Sequence, residues 1–309
     1  MILAATVATL WGFNFVVIDW GMDGIPPLLF VALRFLVVGL AVFFVPRPTA
    51  SWRVVVGVGL FMSLGQFGLL YTSMAMGLQP GLAALLLQAQ AVFTILIAAG
   101  VLRERPTIAQ IVGVAIGITG LSIVAVGRGG SAPLLAVLLC LLGAMSWGVG
   151  NVISRSAGRV NGPGRWGALS LTAWSALVVP LPALGLSLAL EGPAAIAEGL
   201  ASFGWRPIIS TLYTAILCTL VGYAIFNGLL ARNTSAAVVP WPLLAPVVAM
   251  FSAAVLLGQV PTVGEAVGGA VLVAGVLATT LRPRRSSHVT DPPRSHRRQY
   301  MRQNASTIR

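Results

Sequence analysis

Apolar residues in this chain come in stretches of about twenty, parted by short clusters of proline, glycine and arginine. A helix of that length just crosses a hydrocarbon core about 30 Å thick. Reading between turn signals gives ten such stretches: 2–20, 27–46, 54–76, 81–102, 107–126, 133–153, 167–189, 208–230, 235–257 and 262–281. Breakers separate them at Pro26-Pro27, Pro46-Arg47-Pro48, Gln79-Pro80-Gly81, Gly127–Pro133, Gly162-Pro163-Gly164 and Gly258–Pro261. The longest connection, 190–207, has room for a short surface helix around Ala194–Leu200. The first stretch has no basic residue before it, carries Trp11, Phe13 and Asn14, and lacks a small-residue cleavage site, so it is expected to stay as a span. The pattern predicts an all-α polytopic membrane protein.

Composition agrees. The chain is 57% hydrophobic and 8% charged over 309 residues, more apolar surface than a water-soluble domain can bury while keeping polar helix faces outward. The net charge of +12 invites a nucleic-acid reading, but its distribution argues against one. All 19 basic residues are arginine, and eight of them fall between Arg282 and Arg309. With the N-terminus in the cytoplasm, inside loops hold Arg47, Arg53, Arg103, Arg105, Arg155, Arg159, Arg165 and Arg232, while outside loops hold only Arg128 and Arg206. That bias predicts both termini cytoplasmic, with a basic, Ser- and Pro-rich disordered tail over 282–309 available to anionic lipid.

An internal echo adds architecture. RERPTIAQIVGVAIGITG at 103–120 returns in weaker form as GQVPTVGEAVGGAVLVAG at 258–275, offset by 155 residues: Pro106-Thr107 falls on Pro261-Thr262, Gly113 on Gly268, Gly120 on Gly275. Five spans fit within the offset, so the copies are inverted in the membrane, as in transporters built from inverted-topology repeats. The expected organisation is a first five-helix repeat over 1–126 and a second over 133–281. Trp11-Gly12-x-Asn14 in the first span has a loose echo in Trp147-Gly148-x-x-Asn151 in the sixth. Glycines along the fifth and tenth spans make small-residue faces for close helix packing, within the bundle or between two protomers. A monomer and a homodimer both remain open.

Polar residues at depth are costly unless they face a cavity or a neighbouring helix. Asn14, Gln66, Thr72, Gln88, Gln90, Asn151, Tyr223 and Asn227 qualify, with Trp11, Tyr71, Trp147, Trp174 and Trp241 as aromatic neighbours. Gln88 and Gln90 stand about 200° apart on a regular helix. Only one should face a cavity squarely, leaving the other to a neighbouring helix. Pro240-Trp241-Pro242 with Pro246 distorts the ninth span and frees backbone carbonyls. Trp20, Trp52 and Trp205 are expected at the interfaces. Arg34 is the basic residue well inside a span: it either meets an anionic substrate or snorkels to headgroups or a helix end. Asp19, Glu265 and Glu104 lie near span ends, and no carboxylate falls at the midplane. Cys140 and Cys218 sit inside apolar stretches as small buried hydrophobes, and both histidines, His288 and His296, are in the tail. No metal site, cofactor or general base is expected within the spans.

Trp11-Gly-x-Asn14-Phe15, Pro26-Pro27, Arg34-Phe35 and the turns before the fifth and tenth spans resemble the EamA-type branch of the drug/metabolite transporter superfamily, over about 1–281. Gln66-Phe67, Leu87-Gln-Ala-Gln90, Ser146-Trp-x-x-Gly-Asn151 and Val221-Gly-Tyr223 are similar to exporters of O-acetylserine and cysteine in that group. The resemblance implies an inner-membrane exporter. Its central cavity would be lined by Trp11, Asn14, Gln66, Tyr71, Gln88, Gln90, Trp147, Asn151, Tyr223 and Asn227. One departure is Gln259, where the family usually carries a glutamate, whereas Glu104 keeps it at the matching turn.

The expected function is secondary-active export of small polar metabolites, amino acids or derivatives foremost, by alternating access around that cavity. Export of hydrophobic cationic drugs is the alternative, which a buried acidic residue would favour. A membrane enzyme is a remote one, since no acid/base cluster or metal-ligand spacing occurs within the spans. The partners this implies are a small-molecule substrate and the lipid bilayer.

Overall fold

The computed structural model describes residues 1–127, 133–156, 167–233, 238 and 241–280. Arg128, Arg159, Arg165, Pro240 and the tail 282–309 lie outside the described residues. Within them the regular structure is helical: α1 (Ile2–Gly21), α2 (Pro27–Phe43), α3 (Trp52–Ala75), α4 (Pro80–Val101), α5 (Ile108–Gly127), α6 (Leu134–Ser156), α7 (Gly167–Ala176), α8 (Pro180–Leu190), α9 (Pro193–Ala201), α10 (Trp205–Leu229), α11 (Trp241–Leu257) and α12 (Val263–Thr280). Helices α1, α3, α4, α5, α6 and α10 are long and apolar enough to cross a membrane. The pair α7–α8 makes a seventh crossing if its 41° bend lies within one span, and α2, α11 and α12 are shorter apolar helices. The short helix expected in the longest connection is α9.

Side-chain placement fits a lipid solvent. Leu3, Phe44, Ile108, Val126, Leu181, Phe251 and Val263 are all more than half exposed. In water such a surface would aggregate; among acyl chains it is the outer face of the bundle. The chain is a multi-pass membrane protein.

The glycine faces of the internal echo pack against each other inside the chain. Helices α5 and α12 run antiparallel, with Gly113 beside Gly275, Gly120 beside Gly268 and Gly127 beside Gly264. A Cβ on Gly120 would stand 2.5 Å from the Leu272 nitrogen, and one on Gly268 2.7 Å from the Gly120 oxygen. The contacts are reciprocal: each glycine touches the sequence mate of the other, and Gly117 faces Leu272, the position the offset of 155 assigns to it.

Both helices start alike. Thr107 and Gln110 form a capping box, the Thr107 amide donating to Gln110 Oε1 (2.8 Å) and the Gln110 amide to Thr107 Oγ1 (3.3 Å). Thr262 and Glu265 repeat it at 2.8 and 3.2 Å. The echoed Pro-Thr is thus the start signal of a helix, satisfying amides that a helix N-terminus leaves unpaired.

A third likeness lies further back. Both α3 and α10 contain a wide-wound π-helical stretch, Gly59–Gly65 and Tyr213–Val221. The same offset carries 59–65 onto 214–220. Wider winding re-pairs these carbonyls five residues on, as the Gln66 amide does with the Phe61 oxygen, and helices distant in sequence add second donors. Trp11 Nε1 of α1 donates to the Cys218 oxygen at 2.9 Å, and Ser146 Oγ of α6 to the Phe61 oxygen at 2.7 Å. Next to these donors, Gly12 brings α1 against α11, where a Cβ would stand 2.5 Å from the Ala245 oxygen. Gly148 brings α6 against α4, with the Thr94 nitrogen 3.1 Å from its would-be Cβ. The Trp-Gly echo therefore marks two docking points: α1 on α10 and α11, α6 on α3 and α4.

Candidate functional site

Between these docked helices lies a cavity of about 410 Å³. Of the ten residues expected to line it, eight do: Trp11 and Asn14 from α1, Gln66 from α3, Gln88 and Gln90 from α4, Trp147 and Asn151 from α6, and Tyr223 from α10. Arg34 from α2 joins them.

Gln88 and Gln90 both reach the cavity because α4 is not one regular helix. It turns at Gln88–Ala89 and restarts at Gln90. Through this turn the Gln88, Ala89 and Ala91 amides bond three residues back, so α4 departs from the regular winding on which the 200° separation rests. Gln90 also serves a neighbouring helix, its Oε1 accepting from Asn151 Nδ2 at 2.9 Å, while Asn151 Nδ2 also donates to Thr94 Oγ1 at 3.2 Å. The Asn14 Oδ1 atom is buried in the wall with no hydrogen-bond partner.

Two expected residues stand elsewhere. Tyr71 is fully buried behind the wall, its ring against Phe30 and Phe67 and its hydroxyl accepting from Arg34 NH1 at 2.7 Å. It holds a cavity residue instead of lining the cavity. Asn227 is half-buried on α10, one turn past Tyr223, and is not part of the wall.

Arg34 does not snorkel. It is 3% exposed; its NH2 donates to Thr219 Oγ1 at 3.1 Å and its guanidinium carbon lies 4.0 Å from the Phe67 ring centroid. These neighbours tie α2 to α3 and α10. Among the described residues no aspartate or glutamate lines the cavity. Glu104 instead pairs with Arg155 at 3.0 Å, both about half exposed, a geometry worth little on its own. Glu265 is buried in its capping box.

Several wall residues escaped the sequence reading. Phe15, Met62, Phe67, Cys218, Thr219 and Phe226 line the cavity, as do Pro242 and Leu243 from the short 3₁₀ entry to α11, Ala245 just after it and Thr279 from the end of α12. Phe15, Phe67 and Phe226 each follow within three residues of an expected polar lining residue, a signal the sequence offered. Nothing in the sequence distinguished Thr279. The distortion expected at the ninth span is present as that 3₁₀ turn, and it contributes wall. Cys140 and Cys218 are buried free thiols, as expected.

The cavity is walled on most sides by aromatic and aliphatic groups, with amides at a few points and one cation. It suits a small amphipathic solute held by position and charge.

Comparison with known proteins bears on that reading. The model of the EamA-like transporter family matches residues 1–126 and again 134–281. A protein of Salmonella typhimurium (strain LT2) named "Probable amino-acid metabolite efflux pump" is 39% identical over 93% of this chain and 97% of its own length. Its namesake in Escherichia coli (strain K12) is 37% identical, covering 89% of this chain and 92% of that protein. A "Probable terminal-alkyne amino-acid exporter" of Streptantibioticus cattleyicolor is 29% identical over 91% of this chain and 92% of its own. A solved crystal structure, 19% identical, superposes with a TM-score of 0.58 over 90% of this chain and 95% of that one, a likeness of fold. Two family matches filling nearly all of the membrane-embedded chain, and relatives close to 40% identical end to end, leave one assignment: the chain belongs to the EamA-like transporter family.

Proposed function

We propose that the protein is a secondary-active exporter of amino acids or close derivatives, such as cysteine or O-acetylserine, in the cell's inner membrane. Ten spans form two inverted five-helix repeats, 1–126 and 133–281, which rock against each other around the central cavity. Both termini and the basic tail 282–309 face the cytoplasm. The observation that carries the architecture is the reciprocal glycine contact of α5 with α12, which a two-fold axis in the membrane plane explains at once. The matched π stretches and crossed docking of α1 and α6 support the same axis.

The cavity supports an inward-open state. Asn151, Thr279 and Pro242 lie close to the ends of their helices that adjoin the arginine-rich loops. The opposite end is packed: a Cβ on Gly21 would stand 2.2 Å from Ser210 Oγ, and the Leu28 amide is capped by Glu191 Oε1 at 2.9 Å.

Relatives named for amino-acid export support the substrate class. The amide-and-aromatic wall supports a small zwitterion over a hydrophobic cation, since the wall carries Arg34 and, among the described residues, no carboxylate. The second reading, export of another metabolite or drug by the same cavity, keeps the architecture and changes only the cargo. The test is export from intact cells. Overexpression should lower internal amino acid and raise tolerance to toxic analogues, and Asn14→Ala or Gln88→Ala should each lower export severalfold. No effect on either would rule out the substrate class, and fully active variants would rule out the cavity assignment.

A further inference from the structure

We infer that the cavity recognises the two charged ends of an α-amino acid separately, with Arg34 receiving the carboxylate and Asn14 Oδ1 the ammonium. The inference rests on the amino-acid reading above and deepens it. Two residues of this wall each bury a polar atom without a hydrogen-bond partner, and the atoms are chemically opposite: Arg34 Nε, a cationic donor, and Asn14 Oδ1, a neutral acceptor. Buried polar atoms are rarely left in that state, because each forgoes the hydrogen bonds it would make in water. A ligand reaching this wall would supply partners to both.

Arg34 is built to wait for an anion. Tyr71 and Thr219 hold its two terminal nitrogens, and Phe67 covers one face, which fixes the guanidinium plane without neutralising it. The ion pairs formed among the described residues, Arg155 with Glu104 and Arg206 with Asp23, lie away from it. A carboxylate meeting this buried fork gains charge-assisted hydrogen bonds. Asn14, 7% exposed on α1, offers its carbonyl oxygen to an ammonium at the same wall. A neutral acceptor there, in place of a carboxylate, leaves the cavity with a single positive charge. That charge discriminates against ligands that carry an ammonium and lack a carboxylate.

The test uses the purified full chain in lipid nanodiscs and tryptophan fluorescence, which Trp11 and Trp147 report from the wall. The probes are the non-aromatic proteinogenic L-amino acids, followed, for the tightest of them, by its C-terminal amide and its N-acetyl derivative. In the wild type both derivatives should bind at least about tenfold more weakly than the parent. Arg34→Gln should erase the preference for acid over amide while keeping the preference over the N-acetyl form, and Arg34→Lys should restore part of it. An amide that binds the wild-type chain as well as the acid overturns this inference and leaves amino-acid export standing. An Arg34→Gln protein that keeps the acid preference overturns it too, and if that variant fails to fold, the ligand pair on the wild type still decides. Silence from every amino acid overturns the substrate class and this inference with it.

Discussion

Two helix pairs carry the internal repeat, and they treat the backbone in opposite ways. Helices α5 and α12 strip away side chains and press backbone on backbone, Gly120 against Gly268 and Gly113 against Gly275. Helices α3 and α10 loosen their winding and hand carbonyls to side chains from elsewhere, Phe61 to Ser146 and Cys218 to Trp11. The first arrangement has no room to shift, because its contacts are between atoms that no rotamer can move. The second keeps a wider-wound ladder and adds to its carbonyls bonds from individual side chains, each of which can be made or broken singly. The cavity borders the second pair far more than the first: Met62, Gln66, Cys218, Thr219 and Tyr223 come from α3 and α10, and only Val276 and Thr279 from α12. Rigidity is placed away from the substrate and adaptable backbone beside it.

The sharpest way to break this comparison is Gly120→Leu. A Cβ there meets the Leu272 nitrogen at 2.5 Å, and overpacking against backbone exceeds the usual cost of about 1–3 kcal/mol. Folded protein in the membrane should be lost, as read by a monodisperse chromatographic peak. Gly100→Leu, whose Cβ would meet nothing within 4 Å, should leave that peak unchanged. Equal loss in both would mean that the glycine pairing has no special weight. Next in size is Trp11→Phe, which keeps an aromatic ring in the wall and removes the donor to the Cys218 oxygen. Losing that hydrogen bond should cost up to about 1.5 kcal/mol, seen as a lower melting temperature with weakened export. An unshifted melt would mean that the π stretch needs no such support.

The smallest effect sharpens the repeat itself. Thr262→Ala removes a capping hydroxyl worth about 1 kcal/mol. Its counterpart Thr107→Ala should cost less, because the Thr107 box is exposed where the Thr262 box is partly buried. Melting temperatures of the two variants measure the difference, and the reverse order would contradict it.

Much of this was legible in the sequence because lipid imposes a strict grammar. A span must be about twenty residues long and helical, so Pro, Gly and Arg clusters marked its ends well, and the polar residues left at depth pointed to the cavity wall. The Pro106-Thr107 echo was visible, although its cause needed Gln110 and Glu265 three residues on. What failed depended on backbone that sequence pattern does not encode. At Gln88–Ala89 the winding tightens, and both glutamines line a cavity that regular helix geometry would have given to one of them. Tyr71 looked like a lining residue because polar aromatics often are, yet its hydroxyl serves Arg34 from behind. The π stretches left no mark at all, since wide winding is decided by donors such as Trp11 and Ser146, which lie some 85 to 207 residues away.

The glycine pairing also sets a schedule. Val263 follows Ile108 by 155 residues, so at ~5–20 residues per second the ribosome takes about 8–30 seconds to deliver α12 after α5 has emerged. Throughout that interval the groove on α5 is finished and empty, open to any small-residue helix of a neighbouring nascent chain. This backbone-on-backbone contact therefore closes late, and the speed of synthesis of α12 decides how long the unfinished transporter is open to the wrong partner.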